Sequence, residues 1–553
     1  MIPIAVAAAA RLVKTIADRP DMSGGDWCGL VATIAAAVGV QRACASVAAF
    51  GRESFVRGIE LAAEASMVTN LAKVDLRCYD DLAWQERLAR ARRALNGHPG
   101  GIVWALVGLG GPLASLGGVS ALLATLDARF VAIAAIGALV ATIAERRVTA
   151  EAFLLNKQKT KEEREREYLV HTFQSATSAM ELRVLTASEK LRKRHSDLCA
   201  SIHATLRDGR SRGTRAAIVS GVVAGVGAGA AYSLAATSDG VSEALGVQSV
   251  VVLIGAFGVI SGTIVNIAST MTVLSSHMIH LEDYFEFLDA SSIGEVTSGR
   301  ETGRIQSVEL RDVSFSHKDA RRAALTRVSL EIRTNQVVAI IGESGAGKTT
   351  LLEVLLGLRL PSEGQVLING MDVVGVDRER YRSHAAVLLQ DFTRFELQVG
   401  EFVTLGPGTD TPNGRSVREA LEAASVAELG NGPFGLEQRV GQSDASSRSL
   451  SGGEWQRLAL ARVFYRGCDL WVLDEPTSAM DPIAEARVME ELRRRVSGRV
   501  CVLVTHRAST ARWADRILVL KEGRVVESGT HSELMESGGE YVKWYRAQVP
   551  MSS

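Results

Sequence analysis

The sequence predicts an all-α transmembrane helical domain of about six spans, followed by an α/β domain built on a phosphate-binding loop (P-loop). Three observations predict it. Apolar runs of membrane length crowd the first part of the chain, the last of them ending near residue 270. The stretch VVAIIGESGAGKTTLLEVLLGL, Val337–Leu358, reads as strand, glycine loop and helix. A second apolar strand, CDLWVLDEP at Cys468–Pro476, ends in two adjacent carboxylates. With 553 residues the chain needs more than one core, and 62 Lys+Arg against 62 Asp+Glu argue against a nucleic-acid partner. A mean hydropathy of +0.11 averages over two parts, an apolar one interrupted by charged stretches and an evenly mixed one from about residue 305.

The apolar runs come in order. Residues 2–17 are short, and Arg11 and Lys14 share one helical face. They read either as a first span whose basic pair snorkels or faces a polar pathway, or as an interfacial or truncated segment. These charges follow the apolar run instead of preceding it, so no cleavable signal peptide is expected. Trp27 to about Val40 follows, continuing helically past Arg42; then come Gly101–Leu126, Phe130–Ala144, Ala216–Ala236 and Val247–Thr270. The stretches 51–99 and 145–214 carry eight and fifteen Lys/Arg, whereas 18–26, 125–129 and 237–246 carry one or none, which places the long stretches in the cytoplasm. KQKTKEEREREYL at Lys157–Leu169 mixes opposite charges as a solvated helix does, so the spans are expected to run on as helices beyond the bilayer. Gly221, Gly225 and Gly229, and again Gly258 and Gly262, have the spacing that lets helices approach in lipid, although a glycine- and alanine-rich chain produces such repeats by chance. Pro112 is expected to kink its span, and Asn266 to act as polar packing between helices. The six cysteines (Cys28, Cys44, Cys78, Cys199, Cys468, Cys501) form no C-x-x-C pair, so neither a zinc site nor a disulfide framework is expected.

In the second part, Gly342–Thr349 fits G-x-x-x-x-G-K-[ST]. The glycines let the amides of Gly342, Glu343, Ser344, Gly345, Ala346 and Gly347 converge on phosphate oxygens. The new helix, with Lys348, Thr349 and Thr350, adds its positive end. Lys348 suits the outer phosphates and the Thr349 hydroxyl suits Mg²⁺. Asp474 is placed to hold the same ion and Glu475 to polarise an attacking water. CVLVTHR, Cys501–Arg507, is a third apolar strand, and its His506 ends where ligand sites of parallel sheets form. LSGGEWQR at Leu450–Arg457 places Ser451, Gly452 and Gly453 at a second helix start suited to phosphate, with Glu454 next.

Taken together, GESGAGKT, Gln390, LSGGE, LWVLDEP, SAMD and His506 resemble the ATP-binding cassette (ABC) family over about residues 305–548. The first 300 residues look like the membrane domain of ABC exporters, and KVDLRCYDDLAWQERLARA and HTFQSATSAMELRVL are similar to the intracellular segments that press on their nucleotide domains. The resemblance implies domains at 1–290 (transmembrane), 291–304 (linker) and 305–548 (nucleotide-binding). It makes Gln390 a link between Mg²⁺ and the membrane domain, Asp481 the D-loop aspartate, and Glu475, His506 and Lys348 the catalytic set. Two departures stand out: Glu454 replaces the usual signature glutamine, and His317 stands where the family stacks adenine on a tyrosine, offering a smaller face.

The resemblance also implies which phosphate the second helix start holds. In the family, ATP lies between the phosphate loop of one domain and the signature of another, so Ser451–Gly453 would cap a nucleotide held by a partner chain. Expected, then, is a dimeric half-transporter in the cell membrane, a homodimer in preference to a heterodimer, using ATP and Mg²⁺ to export a cargo the sequence does not name, such as a peptide or hydrophobic small molecule. A lipid flippase of the same architecture is the alternative, and a soluble ABC-type regulatory ATPase is disfavoured by the apolar runs.

Overall fold

The computed structural model describes residues 24–126, 160–204, 247–290, 299–318, 320, 322–407, 414–442 and 446–549, with single helical positions at 207, 214, 218, 222, 225 and 229. The expected spans at 2–17 and 130–144 lie outside these residues, as does 216–236 except for Ile218, Val222, Gly225 and Gly229. The chain divides into two units: Met1–Ala72 with Glu86–Ser291, and Lys73–Gln85 with Ser292–Ser553.

The first unit is helical among its described residues. Helix α1 (Gly24–Leu71) runs for 48 residues, about 70 Å at 1.5 Å per residue, well beyond the apolar stretch that begins it. The chain then leaves this unit for α2 (Leu76–Tyr79) and the first turn of α3 (Leu82–Leu95), which belong to the second, and re-enters it within α3; α4 (His98–Leu126) continues through Pro112. Helices α5 (Thr160–Gln174) and α6 (Ala176–Val184) are separated by Ser175, whose hydroxyl caps α6, and α7 (Val247–Ala290) extends for 44 residues. Among the described residues, His98–Val119 alone is long and apolar enough to cross a membrane. The far ends of the long helices are polar and held by specific contacts: Arg90 pairs with Asp283 at 3.0 Å, and Tyr284 Oη donates to the Ala63 carbonyl at 3.0 Å. Asn266 accepts from Thr270, one turn along its own helix, at 3.4 Å. A methyl group added at Gly225, Gly229 or Gly262 would meet no neighbour within 4 Å, so these glycines bring no described helix of this chain close.

The second unit is α/β. Strands β1 (Ser307–Phe315), β2 (Leu325–Arg333), β4 (Glu363–Ile368) and β5 (Met371–Asp372) form an antiparallel sheet in the order β2-β1-β4-β5. Strands β3 (Gln336–Gly342), β6 (Ala385–Leu388), β7 (Leu470–Asp474), β8 (Val500–Val504), β9 (Arg516–Lys521) and β10 (Arg524–Gly529) form a second sheet, ordered β10-β9-β3-β8-β7-β6. It is parallel except for the β9–β10 hairpin. Its central strands are buried on both faces, which is why they read as unbroken apolar runs. The alternation is still present: Val338 and Ile340 pack toward the antiparallel sheet, while Val337, Ala339 and Ile341 pack into a second core with α10 (Val399–Thr404), α11 (Gly414–Ala423) and α12 (Gly452–Arg466). Residues ahead of β1 already belong here, since Arg300 bridges to Val376 and Arg304 pairs with Asp469 at 2.9 Å.

Candidate functional site

The site assembles where the parallel strands end, at the carboxyl edge of β3, β7 and β8, the place where such sheets offer ligand sites. From β3 the chain passes through Gly342–Gly347 into α8 (Lys348–Leu355). Gly347 has a φ of 100°, a left-handed conformation, and a Cβ there would lie 2.5 Å from the Ala324 carbonyl oxygen, so only glycine fits. No side chain caps α8, which leaves the amides of its first turn to be satisfied by something other than the protein. Glu343, Ser344, Gly345 and Thr349 are exposed, Ala346 and Thr350 buried. The Lys348 ammonium donates to the carbonyls of Gly342 (2.7 Å) and Glu343 (2.9 Å). Burial lowers its pKa, against the opposing pull of Asp474 and Glu475.

Asp474 ends β7 and is 3% exposed, and its Oδ2 is buried without a hydrogen-bond partner. Its pKa is raised to about 6, first by burial and then by Glu475, with Lys348 opposing. A buried carboxylate oxygen with no donor is costly, and a divalent cation would relieve that cost. The residues therefore fit Mg²⁺. Among the described residues no group of three or more His, Cys, Asp or Glu is arranged to hold a metal ion.

Glu475 adopts a φ of 49°, rare outside glycine, and its amide donates to the Val504 carbonyl of β8 at 2.9 Å. This turn sets the Glu475 carboxylate 3.3 Å from His506 Nε2. Burial lowers the His506 pKa, with Lys348 adding to the effect and Glu475 opposing it. The three predicted catalytic side chains, Lys348, Glu475 and His506, are thus mutually within electrostatic reach. Gln390 lies exposed in the turn after β6. Asp481 caps α13 (Pro482–Arg495), accepting from the Ile483 and Ala484 amides at 3.0 and 2.9 Å.

His317, two residues after the buried Phe315, meets that ring edge-on at 5.1 Å, and its Nε2 lies 3.4 Å from Thr350 Oγ1 on α8. Sequence reasoning missed what stands behind it. The guanidinium of Arg359, only 9% exposed, lies 5.8 Å from the Phe315 ring centre, bonds Glu353 at 2.6 Å and grips Asp80 with two nitrogens. Lys318 reaches the adjacent Asp81 at 2.7 Å. Asp80 holds its acidity well below the usual carboxylate range because Arg359 donates to it. So Lys73–Gln85, which the chain carries between two long helices, is fastened beside the His317 site. Nothing local in the sequence announces a pair 279 positions apart.

The signature segment starts α12. Ser451 Oγ accepts from the Glu454 amide (3.3 Å) and Glu454 Oε2 accepts from the Ser451 amide (2.8 Å), a capping box worth about 1 kcal/mol. Glutamine or glutamate can fill this role, which accounts for Glu454 in the fifth position; its carboxylate also binds Arg448 at 3.0 Å. Ser451 and Gly452 are exposed, and a Cβ at Gly452 would meet nothing within 4 Å. Gly453 differs, because a Cβ there would lie 2.6 Å from the Ala479 carbonyl oxygen of its own chain.

Residues 325–478 match the family model described as ABC transporter. Over 242 residues the chain is 39% identical to the ATP-dependent lipid A-core flippase of Burkholderia orbicola, covering 44% of this chain and 40% of that protein. It is 33% identical over 309 residues to the beta-(1→2)glucan export ATP-binding/permease protein of Rhizobium meliloti (55% of this chain, 51% of that one). It is 31% identical over 269 residues to the subtilin transport ATP-binding protein of Bacillus subtilis (48% and 44%). The chain thus matches about half the length, or less, of these curated relatives. A solved structure described as a bacterial Atm1-family ABC exporter with ATP bound shares its fold, with a TM-score of 0.77 at 20% identity, over 100% of this chain and 96% of that one.

Proposed function

Because its C-terminal region belongs to the ABC transporter family, we propose that this chain is one half of a dimeric, ATP-driven exporter of the cell membrane. The observation that carries the proposal is the convergence of an uncapped α8 start, the partnerless Asp474 oxygen and the Glu475–His506 pair at one sheet edge. Amides 342–350 would cradle the phosphates and Lys348 would move from the loop carbonyls to the outer phosphate oxygens. Thr349, Gln390 and Asp474 would hold Mg²⁺, which when bound neutralises phosphate charge. Glu475 would accept a proton from the attacking water, with His506 orienting the carboxylate and the terminal phosphate. His317 would face the base.

Ser451 supports a site shared between two chains. Its oxygen is used as an acceptor by the Glu454 amide, so its hydroxyl proton is free to donate outward. Beside it Gly452 leaves open space. A neutral cap of this kind grips a nucleotide held by a partner while the terminal phosphate is present and lets go when that phosphate leaves. Two nucleotides would close the dimer, and the reset would follow hydrolysis; Lys73–Gln85, which the chain joins at both ends to segments of the first unit, would pass that movement on. The domains would be the membrane part to about residue 290 and the nucleotide-binding part from about 305 to 548. The cargo proposed is a peptide or hydrophobic small molecule. Similarity to a lipid A-core flippase favours lipid as a second reading. The several apolar runs of the first part of the chain count against a soluble regulator.

The test is Glu475→Gln in liposomes. Hydrolysis is expected to fall at least about 100-fold with ATP binding retained, and transport is expected to stop. Persistence of both ATPase activity and transport would refute the assignment. ATPase stimulation across peptides, lipids and hydrophobic drugs separates the cargo readings.

A further inference from the structure

Gln456 is 6% exposed and lies on the second turn of the helix that the signature begins. Its side chain uses both ends. Nε2 donates to the Glu475 carbonyl at 2.7 Å and to Ser478 Oγ at 3.0 Å, and Oε1 accepts from the Ala479 amide at 2.9 Å. One amide therefore clasps the whole turn that leaves β7, from the candidate base to the residue before Met480. The other end of that turn is fixed by the Glu475 amide on Val504 of β8 and by Asp481 capping α13. A second contact closes the same joint. Gly453 lies so near Ala479 that a Cβ would sit 2.6 Å from the Ala479 carbonyl oxygen, far closer than a carbon–oxygen contact allows.

From this geometry we propose that Gln456 is a positioning residue that makes the signature and the Glu475–Asp481 turn move as one piece, so that capping of one nucleotide sets the base at the other site. The inference rests on the shared-site dimer reading above. In that dimer Ser451–Gly453 touch the nucleotide held by the partner, whereas Glu475 serves the nucleotide held by its own phosphate loop. A shift of the first turn of α12 cannot leave the Glu475–Ala479 turn behind without breaking three part-buried hydrogen bonds, and polar groups left unpaired are costly. The two sites are thereby linked through covalent and hydrogen-bonded structure inside each chain. The two glycines of the signature have separate tasks: Gly452 gives access to the partner's nucleotide, and Gly453 gives contact with the chain's own turn.

The test is steady-state ATPase of the full-length protein in nanodiscs, with ATP varied, for wild type, Gln456→Leu, Gln456→Glu and Ser478→Ala. Wild type is expected to be cooperative in ATP. Gln456→Leu and Gln456→Glu are expected to lower kcat at least about tenfold, to change KM by less than about threefold, and to bring the Hill coefficient to 1. Ser478→Ala removes one of the three bonds and should fall between, and it carries the test if the Gln456 variants do not fold. A cooperative wild type whose Hill coefficient survives in the variants would overturn this inference alone. Wild-type hydrolysis that is non-cooperative and indifferent to dilution would overturn the shared-site reading, and this inference with it.

Discussion

Replacing Arg359 by methionine should loosen thirteen residues that lie far from it in sequence. Arg359 holds Asp80 with two nitrogens and Glu353 with a third, and it rests against Phe315. Methionine keeps most of the apolar contact and deletes the charge. Arg359 is 9% exposed and Asp80 35%, so the pair lies between an exposed bridge, worth at most about 1 kcal/mol, and a buried one, whose breakage costs roughly 3–5 kcal/mol. Partial solvation of Asp80 discounts the loss to about 1–2 kcal/mol, or roughly 5- to 30-fold in a local opening equilibrium. Hydrogen exchange of the full-length protein, followed on peptides covering residues 75–85, reads that factor directly. The control is Lys318→Met, which breaks the Asp81 bridge, where the side chains are 65% and 29% exposed; it should change exchange by less than about fivefold. Unchanged exchange in Arg359→Met, or an equal effect in Lys318→Met, would refute the claim that Arg359 fastens this segment.

Three further outcomes follow from the site. Because the folded Asp474 pKa is raised to about 6 and Mg²⁺ takes the deprotonated carboxylate, protonation competes with the ion as pH falls through 6. The Mg²⁺ midpoint for ATP hydrolysis should rise roughly tenfold from about pH 8 to about pH 5, beyond the shift of free ATP titrated in parallel; a flat midpoint contradicts the assignment. Gly347→Ala places a methyl 2.5 Å from the Ala324 carbonyl oxygen at a φ of 100°, so ATP binding measured by fluorescent-nucleotide titration should be lost, while Gly452→Ala binds ATP normally. His317→Tyr enlarges the face offered to the base, and the ATP KM should fall roughly 2- to 10-fold, with an unchanged KM indicating that position 317 does not meet the base.

What the sequence made legible was whatever chemistry demands of neighbouring residues. A phosphate loop needs its glycines, lysine and hydroxyl within eight positions, and the acid pair needs an apolar strand beneath it, so Gly342–Thr349 and Asp474–Glu475 stand out unaided. Glu454 stood out only as a departure from the usual signature glutamine; the capping box it closes with Ser451 follows an S-x-x-E pattern that the resemblance to a signature overshadowed. Gln456 was not legible, because its partners lie across a fold boundary between a helix and a strand exit. Nor were Asp80 and Arg359, whose juxtaposition depends on the whole chain between them. In the helical unit, the charged stretches that follow the apolar runs were legible as continuing helix, and α1 and α7 do continue through them as single helices of 48 and 44 residues.

The membership of Lys73–Gln85 in the second unit has a practical corollary for dissection. A polypeptide beginning at residue 292 would contain every phosphate-handling motif and still be incomplete, for Arg359 would face an empty seat where Asp80 belongs. Tyr79 and Trp84, whose rings meet at 4.7 Å and a tilt of 58°, would leave with the excised piece. A short synthetic peptide spanning residues 73–85, supplied in trans, is the natural complement for such a fragment, and its docking would report how firmly Arg359 and Lys318 hold that segment.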